Sequence, residues 1–180
     1  GMVGHRLCAR LRELDTARRF RIVLIGEETR APYDRVNLSH YYDTHDAEEL
    51  ALAQQGFYGE NAIDLRLSKQ VVSIDRDQRS VQLSDGTTES YDKLVLATGS
   101  SAFIPRLPGI DKRGVFAYRT IDDLVAMEEY AKGVKSAAVL GGGLLGLEAA
   151  RAMQALGLTT HVVEIAPRLM PRQLDEPGGK

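Results

Sequence analysis

Three glycines and one acidic residue form the pattern in this sequence that is most specific for chemistry. Gly141, Gly143 and Gly146 have the spacing G-x-G-x-x-G. In such a turn the first glycine allows a sharp bend, the second lets a pyrophosphate approach the backbone, and the third lets helix and strand pack closely. Glu164 follows 18 residues after Gly146, where a carboxylate can accept a hydrogen bond from an adenosine ribose. The pattern predicts a dinucleotide site, and a glycine-rich turn that binds nothing is the alternative.

The segments around this turn have the periodicities that a nucleotide site requires. Residues 137–140 predict a buried strand, residues 144–156 a helix, and residues 160–164 a second strand that ends in the acid. A helix start offers N–H groups without intrahelical partners and the positive end of the helix dipole, which both favour phosphate. A complete dinucleotide domain has more strands than these two, so we expect the unit to be incomplete.

A second, partial copy of the pattern opens the chain. Gly1 and Gly4 match the last two glycines of G-x-G-x-x-G, with the first glycine and its strand missing. A helix is expected next, and then a strand over residues 20–28 that ends in Glu27 and Glu28. Two such units in one chain indicate a flavin together with a nicotinamide nucleotide. For the two glutamates, a solvated strand end is the alternative to ribose binding.

The middle of the chain predicts a loop followed by an antiparallel sheet. Residues 30–39 lack a regular period. Arg35 in this loop can pair with a phosphate through two guanidinium contacts, or be a solvated arginine. From residue 63 to residue 95 the apolar period becomes two, which predicts a meander inserted in the crossover of a doubly wound sheet. Its predicted strands are 64–67, 71–75 and 80–83.

Four further segments complete the predicted architecture. Residues 91–99 predict a buried strand whose carboxyl end lies at the ligand crevice. Residues 103–109 form a stiff, proline-marked linker and are the best domain boundary. Residues 115–118 predict a short strand, and Thr120 is a suitable N-cap for an amphipathic helix over residues 121–132.

Composition excludes several classes of partner. The 180 residues are 43% apolar with a net charge of -2, so we expect no basic surface for nucleic acid. No run approaches the roughly 18 apolar residues of a membrane helix. The single cysteine, Cys8, is expected to be a packing residue, and its isolation fits a cytoplasmic protein. His5, His45 and His161 show no metal-ligand grouping.

These motifs together resemble the two-dinucleotide flavoprotein reductases of the pyridine nucleotide-disulfide oxidoreductase fold. The motifs that carry the resemblance are Gly1-x-x-Gly4, Glu27-Glu28, Ala97-Thr98-Gly99, Gly141-x-Gly143-x-x-Gly146 and Glu164. The resemblance implies an α/β fold with two Rossmann-like units, parallel sheets with flanking helices, the first with the meander in its crossover and both incomplete. It implies an FAD-binding domain over residues 1–109 and an NAD(P)H-binding domain over residues 110–180.

A finer resemblance is to the amino-terminal part of the large subunit of assimilatory NAD(P)H nitrite reductases. It rests on the segments 1–7, 26–28, 33–39, 56–58 and 118–124. In that family electrons pass from NAD(P)H to FAD, then through iron–sulfur clusters to siroheme, where nitrite becomes ammonia. No cluster or siroheme ligand is present in this sequence, so the resemblance implies the electron-entry module. Its partners would be downstream redox centres or a small redox protein, and a homodimer is compatible with the family.

The resemblance also assigns roles to individual residues. For FAD, it implies the pyrophosphate near Gly1 and Gly4, the ribose at Glu27 beside Glu28, nucleotide contacts at Arg35 and Arg119, adenine at the Val71 backbone, and the flavin crevice at Thr98 and Gly99. For the nicotinamide nucleotide, it implies the pyrophosphate at Gly143, Leu144 and Leu145, within the turn Gly141 to Gly146, and the ribose at Glu164. Hydride transfer between these cofactors needs no general acid or base, so no catalytic residue is assigned.

The negative charge of Glu164 suggests which nicotinamide cofactor is bound. The carboxylate of Glu164 would repel a 2′-phosphate, so NADH is favoured over NADPH. Arg168, four residues further on, would soften that preference.

One position departs from the family pattern. Related reductases often carry a lysine after the Leu-Ser of the arginine loop, facing the glutamate of the second glycine motif beside the flavin ring. Here the lysine position is His40 and the glutamate is Glu148. We expect these two side chains to approach each other at the flavin edge, where a histidine would titrate near neutral pH. An exposed loop histidine is the alternative.

Rival functions remain open at this stage. No paired cysteines are present, which argues against glutathione-, lipoamide- and thioredoxin-reductase activity. A rubredoxin- or ferredoxin-reductase type of flavoprotein shares every cofactor motif. A non-catalytic flavin- and nucleotide-binding protein resembling apoptosis-inducing factor is a rival of another class. A chain with an incomplete first unit that binds no flavin is the third alternative.

Overall fold

The computed structural model describes residues 1–179, which contain five α-helices, two short 3-10 helices and seven strands. The α-helices are α1 (Met2–Leu14), α2 (Tyr41–Thr44), α3 (Phe57–Glu60), α4 (Ile121–Ala131) and α5 (Leu144–Ala155). The strands are β1 (Ile22–Ile25), β2 (Ile63–Arg66), β3 (Val71–Asp75), β4 (Ser80–Leu83), β5 (Thr88–Ser90), β6 (Ser136–Leu140) and β7 (Thr159–Val163). Parallel pairs, an antiparallel sheet and helices confirm the α/β class.

The chain divides into two compact units, and the second includes a segment from the first half of the sequence. Residues 1–34 and 51–101 form the first unit, whereas residues 35–50 join those from Ala102 onward in the second. The functional boundary placed at residue 109 stays a prediction, since compactness alone does not say which nucleotide each unit binds.

In the first unit, α1 packs against β1 at a glycine. A Cβ added to Gly4 would lie 3.0 Å from Cδ1 of Leu24, closer than ordinary van der Waals contact. Gly4 therefore has the role expected of the third glycine of a nucleotide turn. The core beneath α1 contains the buried residues Cys8, Ile22 and Ile63. The burial of Cys8 confirms it as a packing residue, and that burial raises the pKa of its thiol, which disfavours the reactive thiolate.

The antiparallel sheet differs from the prediction in one strand. The predicted first strand of the meander is β2, but it pairs in parallel with β1, Ile22 opposite Ile63. The observed meander is β3-β4-β5. An alternating pattern shows that a segment is a strand but does not show which strand is its partner. Glu89 of β5 links this sheet to the parallel pair through Arg21 at 2.5 Å and Arg66 at 2.8 Å.

Two predicted strands are absent. Residues 94–100 have no regular structure, and Val95 is 61% exposed although a buried strand was expected. Residues 115–118 are also irregular, with Phe116 40% exposed. A strand exists only beside a hydrogen-bonded neighbour, and no described strand pairs with either segment. Both strand predictions were wrong, and so was the predicted burial of residues 91–99.

In the second unit, both predicted helices are confirmed. Thr120 caps α4: its hydroxyl accepts from the Asp123 amide, and the Asp123 carboxylate accepts from the Thr120 amide. This capping box satisfies two amide donors at the helix start. The residue 35–50 segment packs on α4, where the Tyr42 hydroxyl donates to the carbonyl of the fully buried Leu124 at 3.1 Å.

The remaining part of the second unit is a strand, helix and strand in sequence. Strands β6 and β7 pair in parallel, Ser136 opposite Thr159, and α5 packs on both. This is the βαβ arrangement that the glycine pattern predicts. Among the described residues, no helix is both long enough and apolar enough to cross a membrane.

Candidate functional site

The turn between β6 and α5 requires glycine at both ends of its motif. Gly141 has φ +110°, in the region that side chains rarely allow. A Cβ on Gly146 would overlap the carbonyl oxygen of Gly141 and would lie 2.9 Å from its carbonyl carbon. The first glycine therefore makes the bend and the last lets α5 approach the turn, as the sequence predicted.

The middle glycine of the motif leaves open space at the start of α5. A Cβ on Gly143 would meet no atom within 4 Å. Gly143 is the N-cap of α5 and contributes no side-chain hydrogen bond to the helix amides. Leu144 and Leu145 follow it, 60% and 69% exposed. The first amides of a helix have no helical acceptor, so this start can receive an anionic group.

Glu164 lies beside the same turn, as predicted. One carboxylate oxygen accepts from the Gly142 amide at 2.5 Å and the other from the Ala166 amide at 2.8 Å. These bonds, the Ala166 bond first, hold the pKa of Glu164 below its usual value. The side chain is therefore an anion at neutral pH. A carboxylate has about four acceptor positions, so two amide bonds leave capacity for a ribose hydroxyl.

The role of Gly142 was not predicted from the sequence. Its amide donates to Glu164, and its carbonyl accepts from the Met170 amide at 3.0 Å. A Cβ on Gly142 would lie 2.5 Å from Cδ2 of Leu169. Gly142 lies inside the motif, and its place in a run of three glycines was a sequence signal that could have identified it. No sequence signal identifies Leu169 or Met170.

The flavin residues predicted in the first unit lie at the ends of its elements. Gly1 is the N-cap of α1, and its carbonyl accepts from the His5 amide at 3.0 Å. Glu27 is exposed just beyond the carboxyl end of β1. Glu28 accepts a 2.6 Å hydrogen bond from the Tyr33 hydroxyl. Of the two acids, Glu27 has the more accessible carboxylate.

Three other predicted flavin residues of this unit are on the surface of the sheet or in irregular chain. Val71 begins β3 and is 38% exposed. Thr98 and Gly99 belong to the segment that forms no strand, and Gly99 has φ +70°. The turn expected at Gly99 is consistent with that angle. The proposed adenine and flavin contacts stay predictions.

In the second unit, two predicted flavin residues are in contact. Arg35 donates from Nη1 to the backbone carbonyl of Arg119 at 2.8 Å. The hydrogen bond joins the start of the 35–50 segment to the residue before the cap of α4. The two arginines were assigned to one nucleotide from sequence, and the structure brings them together.

The expected approach of His40 to Glu148 stays a prediction. Each of the two side chains has other neighbours in the structure. The ring nitrogens of His40 lie 3.2 Å from Asp43 and 3.2 Å from Glu49. The 3-10 helix Leu38–His40 packs against α5, which carries Glu148. The pKa of Tyr118 is raised to about 12, first by burial and then by the nearby negative charge of Glu148.

Comparison with known proteins gives concordant matches. The family model described as pyridine nucleotide-disulphide oxidoreductase matches residues 1–180. The NADH nitrite reductase large subunit of Escherichia coli is 48% identical over 180 residues, which are 100% of this chain and 21% of the relative. The rhodocoxin reductase of Rhodococcus erythropolis is 38% identical over 85% of this chain and 36% of its own length.

A solved structure shows the same fold. A ferredoxin reductase from Rhodopseudomonas palustris superposes with a TM-score of 0.87 and 34% identity, over 98% of this chain and 43% of that one. The chain therefore spans less than half of these relatives, and about a fifth of the nitrite reductase subunit.

Proposed function

This chain belongs to the pyridine nucleotide-disulphide oxidoreductase family, and on that premise we propose that it is the electron-entry module of an NADH-dependent flavoprotein oxidoreductase. The observation that carries the proposal is the turn at the start of α5. It combines an open position at Gly143, an uncapped helix start and the ionised Glu164. A site that binds an anionic group at the helix start and a ribose hydroxyl at the nearby carboxylate suits the adenosine half of a dinucleotide.

Glu164 is the basis for proposing NADH rather than NADPH. Its negative charge would repel a 2′-phosphate. Arg168, the residue that would offset this charge, donates from Nη2 to the Pro171 carbonyl at 3.3 Å. The proposed preference for the unphosphorylated ribose therefore rests on the charge of Glu164.

The residues of the first unit fit an FAD nucleotide in two respects. Gly4 allows the close contact of α1 with β1 that a nucleotide turn needs, and Glu27 presents an exposed carboxylate just past the end of β1. Arg35 and Arg119, in the second unit, stay predicted nucleotide contacts, since a guanidinium suits phosphate. When bound, the flavin would supply the ring that accepts the hydride of NADH. The protein residues bind and orient the nucleotides, and none has to move a proton.

For the terminal acceptor, we propose that the module serves reduction of nitrite to ammonia. The support is the similarity over the full chain to the nitrite reductase subunit, which is greater than that to the rhodocoxin reductase. In that arrangement an iron–sulfur cluster and siroheme would belong to a region beyond these residues. The ferredoxin reductase fold favours a second candidate, a reductase for a small iron–sulfur protein.

The test is anaerobic reduction of the FAD-loaded chain. We expect NADH to bleach the visible absorbance of the flavin, and NADPH to do so more slowly. Nucleotide binding without bleaching would contradict the proposed activity and would favour a non-catalytic flavoprotein. Failure to retain FAD would contradict the flavin role. Rapid reoxidation by added rubredoxin or ferredoxin would favour the second candidate for the acceptor.

A further inference from the structure

The loop that follows Glu164 contacts the glycine-rich turn at Gly142. The amide of Met170 donates to the Gly142 carbonyl at 3.0 Å. The side chain of Leu169 covers the same glycine so closely that a Cβ there would lie 2.5 Å from its Cδ2. Gly142 is buried beneath this contact. The loop therefore supplies both a hydrogen bond and an apolar cover to one peptide of the turn.

Leu169 is itself held in place from the other side. Its amide donates to the carbonyl of the buried Gly179 at 2.9 Å. A Cβ on Gly179 would lie 2.8 Å from the Leu169 carbonyl oxygen, so the two backbones are in close contact. The Gly179 amide in turn donates to the Asp175 carbonyl at 3.1 Å. These contacts fix the backbone of Leu169, and a fixed backbone allows its side chain to restrain Gly142.

The two bonds at Gly142 determine how the following peptides point. Glu164 accepts from its amide and Met170 donates to its carbonyl. A glycine has the widest range of backbone conformations, so these outside contacts, and not its own side chain, restrict it. Gly143 and the first amides of α5 come directly after Gly142, and their direction depends on it. Ordering them before a ligand arrives reduces the entropy lost on binding.

We propose that Leu169 is a positioning residue for the pyrophosphate of the nucleotide. Through its cover on Gly142 and the adjacent Met170 amide, it holds the turn in the conformation that presents the start of α5. The inference rests on the proposed function, in which this turn receives a dinucleotide. It adds an apolar residue that lies outside the glycine motif.

The experiment compares Leu169→Ala and the milder Leu169→Val with Leu174→Ala in the same loop. Leu174 lies against Gly178, whereas the atoms nearest to a Cβ on Gly142 belong to Leu169 and Glu164, so the Leu174 variant controls for general loosening of the loop. NMR spectra of each chain give amide hydrogen exchange at residues 142–145 without ligand. The same spectra follow titrations with ADP, which carries two linked phosphates, and with adenosine, which carries none.

We expect Leu169→Ala to accelerate exchange at the turn and to weaken ADP binding by about tenfold, a change equivalent to 1.4 kcal/mol, with adenosine binding unchanged. Leu169→Val should show smaller changes in the same direction. Leu174→Ala should change neither the amide exchange at the turn nor the ADP affinity. Unchanged exchange in the Leu169 variants, or equal losses for ADP and adenosine, would overturn the proposal. If the unmodified chain binds neither compound, the proposed function fails, and the exchange rates still decide whether Leu169 orders the turn.

Discussion

The guanidinium of Arg35 donates a 2.8 Å hydrogen bond to the backbone carbonyl of Arg119, a residue 84 positions further along the chain. The bond joins the Arg35 side chain to the backbone of Arg119. An arginine guanidinium suits phosphate because it can donate two parallel N–H bonds to the phosphate oxygens. The contact forms within the second unit.

Arg35→Lys is therefore expected to weaken FAD binding by about tenfold, because lysine keeps the charge but loses the planar, two-pronged geometry. The measurement is FAD affinity by fluorescence quenching. Arg106→Lys, an exposed arginine in the linker, is the matched control and should bind FAD normally. Equal FAD affinity in both variants would contradict the assignment of Arg35.

The glycines of the turn should respond differently to the same added methyl group. Gly146→Ala places a Cβ on the Gly141 carbonyl, so it should lower the melting temperature and abolish NADH binding. Gly143→Ala adds a Cβ to open space, so the chain should melt normally while NADH binding falls, because the methyl group would occupy the pyrophosphate position. Thermal melts and NADH titrations distinguish the two. Normal NADH affinity in folded Gly143→Ala would exclude the pyrophosphate from this position.

Glu164→Ala should change coenzyme preference more than overall activity. Removing the carboxylate removes both a ribose acceptor and the charge that opposes a 2′-phosphate. We expect the ratio of kcat/KM for NADH to that for NADPH to fall by about tenfold. The readout is the rate of flavin reduction with each coenzyme. A ratio equal to that of the unmodified chain would refute ribose recognition by Glu164.

The same residue should give the fold a defined pH dependence. Amide hydrogen bonds lower the pKa of Glu164 in the folded state below its ordinary 4.5. Its carboxylate thus stabilises the folded chain above that pH, and the contribution is lost as the pH falls through the lowered pKa. Glutamine has one carbonyl oxygen for the two amides. Glu164→Gln should therefore melt at a lower temperature than the unmodified chain above about pH 5, with a difference that shrinks on acidification. Parallel melting curves with a constant difference down to pH 3 would disagree with this explanation.

The features that could be predicted from the sequence depend on neighbours in the chain. Gly141 to Gly146 and the helix after it follow from local spacing and periodicity, and so does the capping of α4 by Thr120. Glu164 was placed beside the turn because a βαβ unit fixes the position of its second strand end. Local patterns of this kind are sufficient to define one half of the candidate site.

The features that could not be predicted depend on distant partners. The pattern of β2 is the same whether it pairs with β1 or with β3, so its parallel partner was missed. Residues 94–98 have the apolar composition of a buried strand, but no described strand borders them. Leu169 contacts Gly142 across a separation of 27 residues, and a single leucine in a loop carries no signal for such a contact.

The attachment of residues 35–50 to the second unit affects how this fold can be recombined. The chain passes between the units three times, after residues 34, 50 and 101. A polypeptide that starts at residue 102 would lack Tyr42 and would uncover Leu124, which is completely buried in the intact chain. An exchange of nucleotide-binding halves between family members would therefore have to transfer two separate gene segments, with the shorter one encoding residues 35–50.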